Sequence, residues 1–275
     1  MLSNPFSRSS DALASLLGGP DYPQVIDVRL DDDYAADAHD LPGSVHRREG
    51  DFNTWAPLLD RHRPVVVSCH RGLKVSQGIV ARLRAEGHVA ASLAGGHVGW
   101  HAAGLPLLDR HSLITIGVRE GGFWVTRRRP KIDRVACPWL IRRFIDPMAQ
   151  FLYVEPDQVE AVAARTGGIP YDIEGVAVTH DGEDCSFDTL LTLAGLKGFA
   201  ALDRVATIVR GADNARLDLA PEAAGLLAIS LGLSDLAGED DHAMLRQAFV
   251  VYDALFAWAA RASAETHNWP PKAKV

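Results

Sequence analysis

The stretch Val65-Val66-Val67-Ser68-Cys69-His70-Arg71-Gly72-Leu73-Lys74-Val75-Ser76 passes from a β-branched run into a short glycine-bearing loop and then into a helical pattern. Its order is strand, loop, helix, with Cys69 where the strand ends. A thiol at that point faces backbone N–H groups and the positive end of the following helix, and both favour an anion. The expectation is a thiol of lowered pKa that acts as a thiolate nucleophile. The same surroundings would hold a persulfide, which carries extra negative charge.

Outward from this stretch, Val25-Ile26-Asp27-Val28 gives a short strand, Pro64 to Ser68 a stronger one and Val89 to Leu93 another. Between them, Val75, Ile79, Val80 and Leu83 share one helical face, ended by Gly87. Ser10 to Leu17 adds a helix closed by Gly18-Gly19-Pro20. Strands alternating with helices predict a parallel sheet covered on both faces, with Cys69 at a carboxyl edge where such sheets place ligands.

Ile26-Asp27-Val28-Arg29, Leu41-Pro42-Gly43-Ser44, the Cys69 loop, and Leu93-Ala94-Gly95-Gly96 followed by Trp100 and Gly104-Leu105-Pro106 resemble the rhodanese domain in order and spacing. The resemblance covers about residues 8–110 and implies a sulfurtransferase working by double displacement. Cys69 would take sulfur from a thiosulfate-like donor, and a thiol acceptor or cyanide would remove it, with no cofactor. The resemblance also gives Lys74 the position where the family often has arginine. Lysine lacks the forked geometry that holds an oxyanion by two bonds, and Arg71, inside the loop, would compensate for it. The backbone of His70, Gly72, Leu73 and Val75 would line the persulfide site, and Asp27 and Arg29 would form a supporting ion pair.

The residues bear on two rival readings. A related phosphatase loop is one residue longer and ends in arginine, whereas the sixth residue after Cys69 is Val75. Cys69 as a buried, inert thiol fits poorly with the His, Arg and Gly that follow it. His97 and His101 stand four apart, a metal spacing on a helix, but the simpler reading is two solvated histidines beside an inward-packed Trp100.

Beyond Gly121-Gly122 the pattern turns largely helical, with helices over Val159 to Arg165, Phe187 to Leu193, Ala200 to Val209, Pro221 to Leu231 and Asp240 to Ala260. Phe151 to Val154 and Val176 to Thr179 are the expected strands. The segments Trp124 to Arg127, Ile132 to Asp146 (with Cys137-Pro138-Trp139) and His180 to Asp188 resemble the C-terminal domain of the chromate-resistance protein B family. So do Ile208 to Asp213 and Pro221 to Leu226. That resemblance runs from about 124 to 260 and implies a stress or detoxification setting. Pro138 either kinks a helix that starts near Ile132 or sits in the first turn of one that starts at Cys137.

The organisation expected is an α/β rhodanese-like parallel sheet in 1–112, a linker at 113–123, a mostly helical α+β domain at 124–262 and a loose tail at 263–275. Seven cations crowd the 17 positions from Arg127 to Arg143. Among them Arg134, Arg142 and Arg143 are candidates for a tetrahedral oxyanion such as chromate; the alternative is a solvated face, with Arg142-Arg143 paired to Asp133 or Asp146. His180, Asp188, Asp213 and Glu222 are a candidate mixed nitrogen and oxygen set for zinc, iron or manganese, against simple capping and turn roles. Cys137 and Cys185 could meet in space, or both could be core. A sensor that binds chromate or metal, with the rhodanese-like part accessory, is the alternative function.

The 275 residues carry a net charge of −7 with 47% apolar content, which fits a globular chain and argues against nucleic-acid binding driven by phosphate attraction. Three cysteines make no disulfide framework, and no apolar run approaches the roughly 20 residues that cross a bilayer. The start, Met1 to Phe6, lacks the basic and apolar regions of a secretory signal, so a reducing cytoplasm is expected.

Overall fold

The computed structural model describes residues 6–265; most of the tail expected to be loose, from 266 onward, lies outside them. The first half runs β1 (Ser7–Arg8), α1 (Ser10–Ala14), β2 (Gln24–Asp27), α2 (Asp31–Ala36), β3 (His39–Asp40), β4 (Ser44–His46) and α3 (Phe52–Trp55). It continues with β5 (Val65–Ser68), α4 (Lys74–Ala85), β6 (Ala90–Leu93), α5 (Gly96–Ala102), β7 (Leu108–Asp109) and α6 (Arg110–Thr115). Five of these strands form the expected parallel sheet in the order β1-β6-β5-β2-β4, with β5 at its centre. Alternation along β5 divides its valines between two cores. Val65 and Val67 pack with Ile79, Val80 and Leu83 of α4. Val66 faces the other way, into a cluster with Leu13, Leu17 and Trp100.

That second cluster does not stop at the end of the first half. It is continuous with Trp139, Phe144, Phe187 and Phe256, so one apolar core joins the two halves. Gly18, at φ +68°, lies against the Phe256 and Phe144 rings, and a Cβ there would come within 2.5 Å of Phe256. The Gly43 amide donates to the Phe144 carbonyl, and the Asp109 amide donates to Ala194 at 2.9 Å. The first part of the segment 113–123, expected as a linker, packs against this core. Leu113 of α6 is buried in the joint core, and Ile116 and Val118 pack against it.

The second half contains β8 (Phe123–Arg127), α7 (Asp133–Leu140), β9 (Gln150–Val154), α8 (Val159–Thr166), β10 (Ile169–Pro170), α9 (Ser186–Leu193), α10 (Ala200–Asp213), α11 (Ala223–Ala237) and α12 (Asp241–Ala257). A parallel three-stranded sheet, β10-β8-β9, backs the helices. Two local differences from the sequence reading are present, and the alternative left open at Pro138 is decided. The strand expected at Val176 to Thr179 reduces to a single bridge, Tyr171 to Val178. α10 runs through Gly211 instead of ending near it. That glycine serves close approach, because a Cβ there would stand 3.0 Å from Ala223 of α11. Pro138 lies inside α7, whose first residue is Asp133. The proline has no N–H for the Arg134 carbonyl; the Tyr171 hydroxyl donates to that carbonyl instead, at 3.3 Å, and a π-helical turn, Ile141–Ile145, follows.

Candidate functional site

β5 delivers Cys69 to the carboxyl edge of the sheet, and α4 begins five residues later at Lys74. The loop between them is held by close backbone packing. Gly72 has φ +68°, and a Cβ on it would fall 2.3 Å from the Leu93 carbonyl. Gly96, at φ +58°, is pressed as closely against the Cys69 carbonyl, at 2.2 Å for its own hypothetical Cβ. Only glycine fits either position. The amides of His97 and Val98 then donate to the Cys69 and His70 carbonyls at 2.9 and 3.0 Å, which ties the loop to the start of α5.

The Cys69 side chain is buried, and its Sγ lies 3.2 Å from the Ser76 hydroxyl in the first turn of α4. Ser76 in turn donates to the Leu73 carbonyl at 3.1 Å, so one hydroxyl links the sulfur to the loop backbone. Arg71, Leu73 and Lys74 are exposed, whereas His70 and Val75 are half-buried. A cleft of about 770 Å³ opens at the ends of β2 and β4, bordered by Asp31, Tyr34, His46, Arg47, Arg48 and Trp55. β2 is the immediate neighbour of β5 in the sheet, so this cleft lies on the same edge as Cys69.

Asp27 and Arg29 form the expected ion pair, buried at 1% and 2% exposure, with Arg29 donating through Nε to Asp27 at 2.7 Å. Arg29 also reaches Asp40 at 2.7 Å, which Arg110 approaches at 2.8 Å. The charges are thus paired within a network that joins β2 to β3 and α6. His97 departs from its expected exposure: it is buried and meets Asp37 at 2.9 Å, while His101 is exposed as expected. Burial and the Arg29 charge push the His97 pKa down.

A second polar cluster forms at the junction of four segments of the other half. Asp133 opens α7, Asp213 closes α10, and Asp172 and His180 come from the loops before α9. His180 Nε2 lies 3.2 Å from Asp133, 3.3 Å from Asp213 and 3.5 Å from Asp172. Asp172 is held further by Ser186 at 2.9 Å, Arg127 at 2.6 Å and Arg134 at 3.2 Å. Burial, reinforced by the Asp133 charge, raises the Asp213 pKa to about 7. Burial opposes the charge on Asp133 as well, but the hydrogen bond and charge of His180 outweigh it and hold that carboxyl low. The hydrogen bond to Asp133 raises the pKa of His180.

Of the four residues read from the sequence as metal ligands, the fold brings His180 and Asp213 together and leaves Asp188 and Glu222 out. Asp188 accepts from the Cys185 amide at 3.1 Å at the start of α9 and pairs with Arg210 at 2.6 Å; Glu222 lies 3.7 Å from Arg204. The three arginines considered for an oxyanion do not share a partner. Arg134 turns to Asp172, Arg142 donates to the Ala149 carbonyl at 3.0 and 3.1 Å, and Arg143 pairs with Asp253 at 2.7 Å. The pairing of Arg142-Arg143 with Asp133 or Asp146 is likewise absent. Cys137 and Cys185 are fully buried, and burial pushes both thiols far up.

Residues 124–259 match the family model described as ChrB, C-terminal domain, and residues 9–103 match that of the rhodanese-like domain. The chain joins a rhodanese-like domain to a ChrB C-terminal domain. Protein ChrB of Cupriavidus metallidurans is 36% identical over 137 residues, which are 50% of this chain and 40% of that protein. Among solved structures, a thiosulfate sulfurtransferase from Pseudomonas aeruginosa is 28% identical with a TM-score of 0.32, covering 38% of this chain and 19% of its own. A rhodanese-like domain protein from Staphylococcus aureus is 23% identical with a TM-score of 0.31, covering 34% of this chain and 89% of its own.

The rhodanese-like domain thus contains the Cys69 loop and its ion-pair support, and the ChrB C-terminal domain contains the whole Asp–His cluster. Ser76 was missed as a site residue; its signal in the sequence is a small polar residue in the first turn of α4, directly after the loop. Asp133 and Asp172 carried weaker signals: each directly follows a buried apolar residue, Ile132 or Tyr171, at the edge of a segment. Among the described residues, no helix is long and apolar enough to cross a membrane.

Proposed function

We propose that the protein is a rhodanese-type sulfurtransferase that carries sulfane sulfur on Cys69. The observation that carries this reading is the Cys69 loop: a thiol at the carboxyl end of a central parallel strand, in a loop packed so closely that two glycines are required. The Cys69 thiolate attacks the outer sulfur of a thiosulfate-like donor. A bond forms between Sγ and that sulfur, the donor's sulfur–sulfur bond breaks, and its electron pair leaves with sulfite. A thiol acceptor or cyanide then attacks the terminal sulfur, and the Cys69 thiolate leaves as it was. Both half-reactions conserve electrons, so no cofactor is needed.

Loop amides and the amino end of α4 favour the anionic sulfur. The Ser76 hydroxyl can rotate to donate to it, and Arg71 and Lys74 supply positive charge at the loop's exposed side. Three free cysteines fit a reducing cytoplasm, and the ChrB C-terminal domain supports a role in chromate resistance. Initial rates measured against thiosulfate at several cyanide concentrations should give parallel double-reciprocal lines, the pattern of a ping-pong reaction. Intersecting lines, or no thiocyanate above the uncatalysed rate, would overturn the reading.

A further inference from the structure

His180 Nε2 has three carboxylate oxygens within 3.5 Å, contributed by Asp133, Asp172 and Asp213. A ring nitrogen carries at most one hydrogen, so it cannot satisfy three such acceptors together. Asp172 has its own partners in Arg127, Arg134 and Ser186. Among the described residues, neither Asp133 nor Asp213 forms an ion pair with an arginine; the ion-pair partner of both is His180. Their side chains are 3% and 16% exposed, and the Asp133 amide already donates to Asp213 at 3.4 Å. Asp133, which is buried, and Asp213, which is partly buried, compete for the one hydrogen that His180 Nε2 can offer, and a cation in its place would satisfy both carboxylates.

The spacing suits a cation. With metal–ligand bonds of about 2.0–2.2 Å, neighbouring ligand atoms in octahedral or tetrahedral sites stand roughly 3.0–3.4 Å apart. His180 Nε2 stands 3.2 and 3.3 Å from the Asp133 and Asp213 oxygens, and the ligand atoms of the three residues all lie within 4.8 Å of one another. The elements that supply them converge for reasons independent of any ion: Pro138 and Tyr171 settle the course of α7, and Gly211 lets α10 continue past α11 to Asp213.

We propose that Asp133, His180 and Asp213 bind one divalent first-row cation, with Asp172 as a positioning residue held by two arginines. One imidazole and two carboxylates form an oxygen-rich set, which favours manganese or ferrous iron over the sulfur-rich sites of structural zinc. The His180 side chain is 41% exposed, so water can complete the coordination from that side. The site lies wholly in the ChrB C-terminal domain and does not depend on sulfur transfer through Cys69.

The test uses the full chain, stripped with a chelator, dialysed and titrated with manganese(II) chloride by calorimetry. One saturable site per chain is expected. His180→Gln and Asp213→Asn should each weaken binding by at least about tenfold, whereas Glu222→Gln should leave it unchanged. Pulsed electron paramagnetic resonance of the manganese-loaded wild type should show coupling to one imidazole nitrogen, which needs no variant to fold. Absence of a saturable site, affinity unchanged in His180→Gln and Asp213→Asn, or a bound ion without nitrogen coupling would each overturn the proposal.

Discussion

Cys69→Ala is expected to lower sulfite release from thiosulfate in the presence of cyanide by at least about 10³-fold, because it removes the atom on which the proposed covalent intermediate would form. No other thiol can take its place. Cys137 and Cys185 are closed to solvent, both at 0% exposure, and burial pushes both thiol pKa values up. Cys69→Ser should be equally inactive, since a hydroxyl is a poor nucleophile toward sulfane sulfur and leaves far less readily than a thiolate. Stability should barely change. The side chain gives up one hydrogen bond to Ser76 and a small buried surface, about 1 kcal/mol together. Sulfite release at the wild-type rate in folded Cys69→Ala would place the chemistry elsewhere.

The second large effect concerns the joint core. Phe144 is fully buried, with its ring 5.7 Å from that of Trp139 and 5.4 Å from that of Phe256, and it lies against Gly18 of the rhodanese-like domain. Phe144→Ala should cost about 3–5 kcal/mol through lost burial and the cavity left behind. In a chain of this size each kcal/mol shifts the melting temperature by roughly 2–4 °C, so a fall of roughly 6–20 °C is expected. The decisive readout is the reactivity of Cys69 and Cys137 toward an alkylating reagent during heating. Because one apolar cluster includes both halves, both thiols should become reactive in a single, lowered transition. Two transitions, with that of Cys69 unmoved, would show that the rhodanese-like domain does not rely on this core.

The parallel sheet was legible because its signals are local. Val65 to Ser68 alternates between two buried faces, Val75, Ile79 and Leu83 repeat with a helical period, and Gly87 ends the helix. The Cys69 loop was legible for the same reason, since its strand, loop and helix are contiguous. Its dependence on Gly96 was not, because that contact with Cys69 joins residues 27 positions apart in the sequence. The Asp–His cluster shows the same boundary between local and tertiary information. His180 and Asp213 could be named as metal-binding residue types, but their partners Asp133 and Asp172 are fixed by helix packing and by two arginines. Asp188 and Glu222 were equally plausible by type, and only the course of α9 and α11 turns them to Arg210 and Arg204. The joint core was the least legible feature, because Gly121-Gly122 reads as a break while Leu113 and Val118 pack across it.

Sulfur transfer through Cys69 is tested most directly by mass spectrometry of the intact and digested protein after incubation with thiosulfate and no acceptor. The expected result is a gain of about 32 Da, one sulfur atom, on the peptide containing Cys69. Cyanide should remove it, and the Cys137 and Cys185 peptides should be unchanged. An unmodified Cys69, or added sulfur found only on Cys137 or Cys185, would contradict the account.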